Sequence, residues 1–240
     1  MKKLSEKIKS INYKYFFQEL IIVVAGILIA LSLNSWQEDN ASRNRELFYL
    51  KSLKADFEQT LNSLIEINNQ NLESKAAVQR MIAVIEHPDV KHSTDSLKSF
   101  FRNLFGFNRF VPASGTYKEI ISSGSLQILT NDELRIALSS WDDMINRNRQ
   151  LEEVMFWQYH LINIPYLNKH IARSDFNDDY RQPGESRKNK TDFKKLITDT
   201  EFENILFNRA GALEETNEYM VIMIEHVSHI IKLIDKDITN

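Results

Sequence analysis

The chain has 240 residues, 42% of them hydrophobic, and a formal net charge of −3 at pH 7. It contains no cysteine, which excludes disulfides, thiolate nucleophiles and zinc–sulfur sites in this sequence. The near-neutral balance gives no basic face of the kind that binds nucleic acid, so we expect no nucleic-acid partner. Six glycines and four prolines are few for this length and favour long helices over sheets.

An uncharged apolar run, residues 20–33, follows a lysine-rich N-terminal tail. About 20 helical residues are needed to cross the roughly 30 Å hydrocarbon core, so the run alone is too short. Aromatic side chains extend it on both sides, and such side chains are typical where a helix meets lipid headgroups. We therefore predict a transmembrane helix over residues 16–36, which contacts the lipid bilayer between Phe16 and Trp36.

The charges flanking this helix predict its orientation. The tail carries lysine at positions 2, 3, 7, 9 and 14 against a single glutamate, and an excess of lysine stays cytoplasmic. We predict a cytoplasmic tail (1–15), an anchor (16–36) and an exported domain (37–240) in the periplasm, on a single-pass bacterial inner-membrane protein. The alternative is a cleaved secretory signal, since Ala30 and Ser32 stand at cleavage-like spacing. The interfacial aromatics and the helical pattern beyond Trp36 favour retention.

The first part of the exported domain has the period of an amphipathic helix. No glycine or proline occurs between Gly26 and Pro88, which predicts a helix to Glu86 with a soft point at residues 40–44. Polar residues 68–71 interrupt its apolar stripe; we favour a solvated face there over a register-setting or ligand-binding layer. The stripe consists of Leu47, Leu50, Leu53, Phe57, Leu61, Leu64, Leu72, Val78, Ile82 and Ile85.

Pro88 is expected to stop this helix, because the residue before a proline is disfavoured in helical conformation. Ser93 or Thr94 then caps a shorter helix that reaches about Phe105. An aromatic cluster surrounds Gly106. We favour core filling at one end of a bundle for this cluster, over an apolar ligand pocket or contact with the bilayer. Its members are Phe100, Phe101, Phe105, Phe107 and Phe110.

Two helix starts and one stop are predicted in the next stretch. Thr116 and Thr130 each stand three residues before a glutamate, which is the spacing of a capping box. Gly124 stands where a left-handed residue would close the first of these helices. The order predicted is a helix, a glycine stop, a short extended link at residues 126–129 and a new helix.

The remaining chain predicts two long helices separated by a loop. The first runs from Asp132 towards Ile164 and is kinked or ended by Pro165. Residues 173–191 are polar and aperiodic, which indicates a loop, and a short helix at residues 193–198 precedes the last one. The apolar faces are Leu134, Leu138, Trp141, Ile145, Leu151, Met155, Tyr159 and Ile162, then Phe202, Ile205, Leu206, Leu213, Met220, Ile224, Val227, Ile231 and Ile234.

These elements predict an all-α fold. The N-terminal transmembrane helix is followed by an exported antiparallel helical bundle, in which long helices of coiled-coil type supply the core.

Two motifs carry a resemblance to a known family. The first is Glu19, the run Ile-Leu-Ile-Ala-Leu at residues 27–31, and Asn34-Ser35-Trp36. The second is Thr116-Tyr117-Lys118-Glu119, then Ser123-Gly124-Ser125-Leu126, then Asn131-Asp132-Glu133-Leu134-Arg135. The chain resembles an uncharacterised single-pass envelope protein family of Bacteroidetes-type bacteria, known as a domain of unknown function. The resemblance implies a retained anchor and nearly the whole chain as one family unit, and it implies no activity.

Candidate chemical groups are sparse. His226 and His229, with Glu225, could contribute to a metal site, but the spacing offers no further ligand and HExxH is absent. The pairs Asp142-Asp143 and Asp178-Asp179 have no histidine or nucleophile at useful spacing. Neither a glycine-rich phosphate loop nor GxSxG occurs. We therefore expect no catalytic residue, no metal ligand, no cofactor and no enzymatic activity.

The leading functional hypothesis is a membrane-anchored helical interaction or scaffold protein of the cell envelope. Its partner would be another copy of the chain, in a homo-oligomer, or an envelope protein. The alternative is a ligand-binding sensory module that works through a separate membrane partner, with its ligand near the phenylalanine cluster.

Overall fold

The structure, a computed structural model, describes residues 13–106, 108–172, 175 and 190–239. Regular structure in this part of the chain is entirely helical, which confirms the predicted all-α fold. In chain order the helices are α1 Tyr13–Glu86, α2 Thr94–Arg102, α3 Gly115–Ser122, α4 Asp132–Gln158, α5 Ile164–His170, α6 Phe193–Leu196 and α7 Thr200–Thr239. A 3₁₀ turn, Ser125–Ile128, follows α3, and a π-helical turn, Tyr159–Asn163, joins α4 to α5.

The chain divides into two compact units, residues 1–50 and residues 51–240. In the first unit, the apolar side chains of residues 20–33 are exposed, and α1 is the one helix of the described chain that is long and apolar enough to cross a membrane. The soft point predicted at residues 40–44 is wrong, because α1 is unbroken there. That segment holds neither glycine nor proline, and an ion pair between Arg43 Nη1 and Glu46 Oε2 (2.6 Å) stabilises the turn.

Three long helices form the frame of the second unit. From Lys51 onward α1 runs antiparallel to α7: Lys54 Nζ contacts Asp235 Oδ1 at 2.6 Å near one end, and Lys75 pairs with Glu214 near the other. Helix α4 is also antiparallel to α7. Its N-cap Asn131 Nδ2 donates to Asp237 Oδ1 (3.0 Å), and further along Arg147 Nη2 donates to Glu215 Oε1 (3.0 Å).

The segment that follows α2 runs back along α1 and forms a fourth layer of the bundle, which we call the return segment. Ser74 Oγ donates to the carbonyl of Leu104 (3.4 Å), and Thr60 Oγ1 donates to the carbonyl of Ala113 (3.1 Å). Contacts therefore move towards the start of α1 as the returning segment advances. The second unit is an antiparallel bundle of three long helices and one largely irregular return segment.

The buried stripes of α1 and α7 follow a stricter period than predicted. Asn71 is only 4% exposed whereas Leu72 is largely exposed, so the solvated face predicted for residues 68–71 is wrong for Asn71 and right for Asn69 and Gln70. In α7, Met223 is buried in place of the predicted Ile224. Buried positions alternate by three and four residues, the period of helices packed along their length. In α7 this series is Phe202, Leu206, Arg209, Leu213, Thr216, Met220, Met223, Val227, Ile230 and Ile234, and Ile205, Asn217 and Leu233 are buried beside it.

The phenylalanine cluster divides between two parts of the core. Phe101 is buried and stacks on Phe202 with ring centroids 5.9 Å apart, and it also contacts Phe105 and Phe193. Phe110 instead packs edge-on against Trp141 at 6.3 Å. Core filling is confirmed for these members of the cluster, while Phe107 lies outside the described residues.

The predicted boundaries around Pro88 are confirmed. Helix α1 ends at Glu86, and Ser93 caps α2 by accepting a hydrogen bond from the Ser96 N–H (3.1 Å). Helix α2 ends at Arg102, slightly before the predicted Phe105.

Both capping boxes predicted from threonines are wrong. Helix α3 begins one residue before Thr116, whose N–H donates to Asp56 Oδ2 of α1 (2.8 Å). A carboxylate from another helix thus satisfies the start of α3. Helix α4 is capped one residue after Thr130, by Asn131 Oδ1, which accepts from the Leu134 N–H (3.1 Å). Asparagine is as good an N-cap as threonine or better, so local chemistry permits the shift.

Gly124 adopts the left-handed conformation predicted for it, with φ 68°. The extended link predicted at residues 126–129 is instead the 3₁₀ turn, and only Leu129 is extended.

We expect Gly124→Ala to destabilise the protein by about 1 kcal/mol, because a Cβ disfavours left-handed backbone. No atom lies within 4 Å of the added Cβ, so the loss is conformational. The matched control is Gly211→Ala inside α7, where the added Cβ also meets nothing and alanine should stabilise by about 0.5–1 kcal/mol. Thermal unfolding of the full chain in detergent measures both. Shifts of the same sign would contradict the assignment.

The helical path continues through Pro165, but the turn before the proline is π-helical. Because proline has no N–H, it cannot donate to the carbonyl four residues earlier. The π turn accommodates this, with the Ile164 N–H donating to the carbonyl of Tyr159. The additional residue in the turn moves the buried face, so Asn163 is buried while the predicted Ile162 is exposed.

The loop predicted at residues 173–191 lies mostly outside the described residues, as does the Asp178-Asp179 pair. The described residues form two hydrogen bonds between the two ends of this loop. The Thr191 N–H donates to Asp175 Oδ2 (2.7 Å), and the Ala172 N–H donates to Thr191 Oγ1 (3.1 Å).

Candidate functional site

A cavity of about 540 Å³ lies in the second unit, between α4, α3 and the return segment at residues 109–114. This volume is within the range of small-molecule sites, roughly 300–1,000 Å³. Its lining is mixed, with apolar groups, three basic side chains and three acidic ones. The charged residues are Arg109, Lys118, Arg149, Asp142, Glu152 and Glu153. The cavity can therefore bind a polar molecule through charges of both signs.

The inner wall of the cavity is formed by two polar residues one helical turn apart on α4. Asn148 is 2% exposed and Glu152 is 5% exposed. Glu152 Oε1 accepts hydrogen bonds from the Phe110 N–H and from Asn148 Nδ2, both at 2.8 Å. Asn148 Oδ1 is buried and has no hydrogen-bond partner among the described residues. An unpaired buried acceptor is costly, and a bound donor would remove that cost.

The electrostatics of Glu152 combine opposing effects. Burial raises the pKa of Glu152, while its two hydrogen bonds and the positive charges of Arg109 and Arg149 act in the other direction. Burial is the largest of these influences, so the pKa of this carboxyl lies above its ordinary value.

We predict a pH-dependent difference between the native chain and Glu152→Gln. A raised folded-state pKa means that the folded chain holds the Glu152 proton to higher pH than the unfolded chain does. The stability contribution of Glu152 is therefore full below its ordinary pKa of 4.5 and is lost as pH rises through the folded-state pKa. Relative to the native chain, Glu152→Gln should gain stability with rising pH across this window. Melting temperatures from about pH 4 to 8 measure the difference.

The same replacement at exposed Glu218 is the control, and its difference from the native chain should not follow that course. A constant difference for Glu152→Gln across the window would contradict the shift.

Tyr117 also lines the cavity. It is buried, and its hydroxyl donates to the carbonyl of Leu138 (3.2 Å). Burial and the negative charge of Asp142 raise the pKa of Tyr117 above its usual range. The lining includes Ser114 but no histidine to activate it.

The two histidines considered as metal ligands face α4. His226 Nε2 lies 3.0 Å from the carbonyl of Ala137, and its ring stacks on Trp141 at 6.2 Å. His229 Nε2 lies 3.3 Å from Glu133 Oε1. Within the described part of the chain, no group of three or more histidine, aspartate or glutamate side chains is placed to hold a metal ion.

A buried arginine crosses the core beside the return segment. Arg209 is 1% exposed, and its Nη2 donates to the carbonyl of Gly106 and to Ser74 Oγ (3.4 Å). Its Nε has no partner, and no described carboxylate lies within ion-pair distance. The predicted apolar face of α7 did not include Arg209, and arginine is rarely buried unpaired. Its place three residues after Leu206 and four before Leu213 was the available signal.

An exposed apolar stripe lies on the outer face of α4 and the π turn. Val154, Trp157 and Leu161 recur at three- and four-residue steps, and Trp157 is 54% exposed. Contiguous exposed apolar groups on a helix mark interaction surfaces more often than chance exposure does. We call these three residues the apolar stripe of α4.

Sequence reasoning named no site residue, and it missed the Asn148–Glu152 pair. A signal was present, because Asn148 lies seven residues after Trp141 and seven before Met155, both on the predicted apolar face. A polar residue at such a position is either a packing defect or part of a buried polar site.

These features define an all-helical protein whose described residues include one candidate membrane span and a bundle with a charged cavity. Residues 19–154 match the Family of unknown function (DUF6090), and the chain belongs to this family. The match confirms the resemblance to a domain of unknown function, although it ends at residue 154 and not near the end of the chain. It includes the apolar run of α1 and every residue that lines the cavity. No curated protein and no solved structure matches the chain.

Proposed function

We propose that this chain is a membrane-anchored interaction protein of the cell envelope of Bacteroidetes-type bacteria. It crosses the inner membrane once, with its N-terminus in the cytoplasm and its helical bundle in the periplasm. The exposed apolar residues of α1 and the lysines that precede them support this topology. The Glu19 and Asn34-Ser35-Trp36 motif supports the envelope assignment through the family resemblance.

We assign the interaction role to the apolar stripe of α4. Val154, Trp157 and Leu161 are each at least half exposed at three- and four-residue spacing, and tryptophan is among the residue types most enriched at binding hot spots. The partner is a second copy of this chain or another envelope protein that offers a complementary apolar face.

Site-specific photocrosslinking in the native membrane tests this role. A photoreactive residue at position 157 should give one discrete crosslinked species, and mass spectrometry then distinguishes a second copy from a different protein. The control position is Asn208, an exposed residue of α7. The proposal would be overturned if the photoreactive residue at position 157 gave only monomer. It would also be overturned if positions 157 and 208 gave the same crosslinked products.

A substitution gives an independent readout of the same surface. Val154→Glu should abolish the species crosslinked from position 157 while leaving the melting temperature of the chain nearly unchanged, because Val154 is 52% exposed. Loss of folding together with loss of crosslinking would instead assign Val154 a structural role.

The second candidate function is a ligand-binding sensory module that works through a separate membrane partner. The observation that favours it is the cavity, whose inner wall carries the unpaired Asn148 Oδ1 beside the buried Glu152. The phenylalanine cluster is less suited to this role, because Phe101 and Phe105 pack in the core.

A further inference from the structure

The cavity has an acceptor-rich interior. Glu152 Oε1 is occupied by two hydrogen bonds, and no donor of the described residues reaches Oε2. Asn148 Oδ1 is also unpaired, and its orientation is fixed because its Nδ2 donates to Glu152. A carboxylate and an amide oxygen on adjacent turns of one helix are suited to a group that donates several hydrogen bonds and carries positive charge. A primary ammonium has three such donors.

The mouth of the cavity carries more positive than negative side chains and so favours a negatively charged group. Arg109, Lys118 and Arg149 are exposed there, against the carboxylates of Asp142 and Glu153. Arg149 uses Nη1 to donate to Asn146 Oδ1 (3.2 Å), and a guanidinium has further donors that match a carboxylate. A ligand with positive charge alone would meet repulsion from these cations, and a ligand with negative charge alone would meet Glu152.

We propose that this cavity binds a small zwitterion of amino-acid type. The ammonium group of the ligand lies against Glu152 and Asn148, and its carboxylate group lies against Arg149 at the mouth. The proposal rests on the ligand-binding candidate function and names the chemical class of the ligand. It also explains why a helix with an otherwise apolar inner face places an asparagine and a glutamate one turn apart at the cavity wall.

Isothermal titration of the full chain in detergent tests the proposal with three matched probes. L-Leucine carries both charges, 3-methylbutylamine lacks the carboxylate, and 4-methylpentanoate lacks the amine. We expect L-leucine to bind with a dissociation constant at least about tenfold lower than either single-charge probe, since each charged hydrogen-bonded group contributes roughly a factor of ten or more.

Two variants assign the groups. Glu152→Gln retains the hydrogen-bond acceptor for the Phe110 N–H and removes the charge. It should weaken L-leucine about tenfold while leaving 4-methylpentanoate unweakened. Arg149→Met should weaken L-leucine and 4-methylpentanoate but not the amine. The controls are Glu218→Gln on α7 and Arg147→Met on α4, exposed residues that do not line the cavity.

Each result decides between the possibilities. Stronger binding of one single-charge probe than of L-leucine would overturn the zwitterion class while keeping the ligand-binding function. No binding of any of the three probes up to about 10 mM would overturn the zwitterion proposal. Variants that match their controls would place the binding outside this cavity and overturn the proposal.

Discussion

Trp141→Ala is expected to lower the free energy of unfolding by about 3–5 kcal/mol, the largest effect of any single substitution considered for the bundle. Trp141 is fully buried and joins three layers to α4. Its ring lies 5.9 Å from Phe57 of α1, 6.3 Å from Phe110 of the return segment and 6.2 Å from His226 of α7. Alanine would remove all three contacts and leave a cavity that rigid neighbours cannot fill.

Chemical unfolding of the full chain in detergent, followed by helical circular dichroism, measures this loss. Trp157→Ala is the matched control, because the same atoms are removed from an exposed position of the same helix. Its effect should stay below about 1 kcal/mol, as for most surface substitutions. Equal losses at the two positions would contradict the role of Trp141 as the centre of the core.

Arg209→Met is expected to leave the chain at least as stable as the native protein, whereas Arg209→Ala should be about 2–5 kcal/mol less stable than Arg209→Met. Burial lowers the pKa of Arg209 to about 10, and a shift of this size corresponds to about 3 kcal/mol against the charged form. Methionine fills a similar volume without that cost. Alanine also removes the charge but leaves a cavity.

The opposing contribution is the hydrogen bond to the Gly106 carbonyl, which methionine cannot replace. Leaving such an acceptor unpaired costs about 1–3 kcal/mol, which is at most equal to the cost of the buried charge. Melting temperatures of the native chain, Arg209→Met and Arg209→Ala at neutral pH show whether the buried charge or the lost hydrogen bond has the larger effect. A loss for Arg209→Met as large as for Arg209→Ala would mean that the bond to Gly106 outweighs the cost of burial. An arginine retained against the balance of stability would then point to a role beyond packing.

Much of the fold follows from local sequence. The helix that ends before Pro88, the left-handed Gly124 and the cap at Ser93 each depend on residues within one turn of one another, so their signals are readable without the tertiary structure. The N-cap of α3 was predicted two residues after its observed position, Ser114, and that of α4 one residue before its observed position, Asn131. At α3 the reason is that Asp56, far away in sequence, supplies the oxygen that Thr116 was expected to supply.

The candidate site was less accessible to sequence reasoning. The cavity takes one wall from α4 and another from residues 109–114, and their proximity depends on the return of the chain along α1. Glu152 accepts from the Phe110 N–H, so its partner lies on a different layer of the bundle. The seven-residue spacing of Asn148 from Trp141 is a local signal for the inner face, but this spacing does not indicate that a cavity lies there.

The sequence by itself determined the helical class, the apolar segment at residues 20–33 and most helix ends, because these depend on hydrophobic period, capping and proline or glycine conformation over short stretches. Only the tertiary structure decided that Asn71 and Arg209 are buried, that a π turn joins α4 to α5 around Pro165, and that Asn148 and Glu152 border a cavity. The physical reason is that burial of a polar side chain depends on which distant residues surround it, and those neighbours are set by the packing of whole helices.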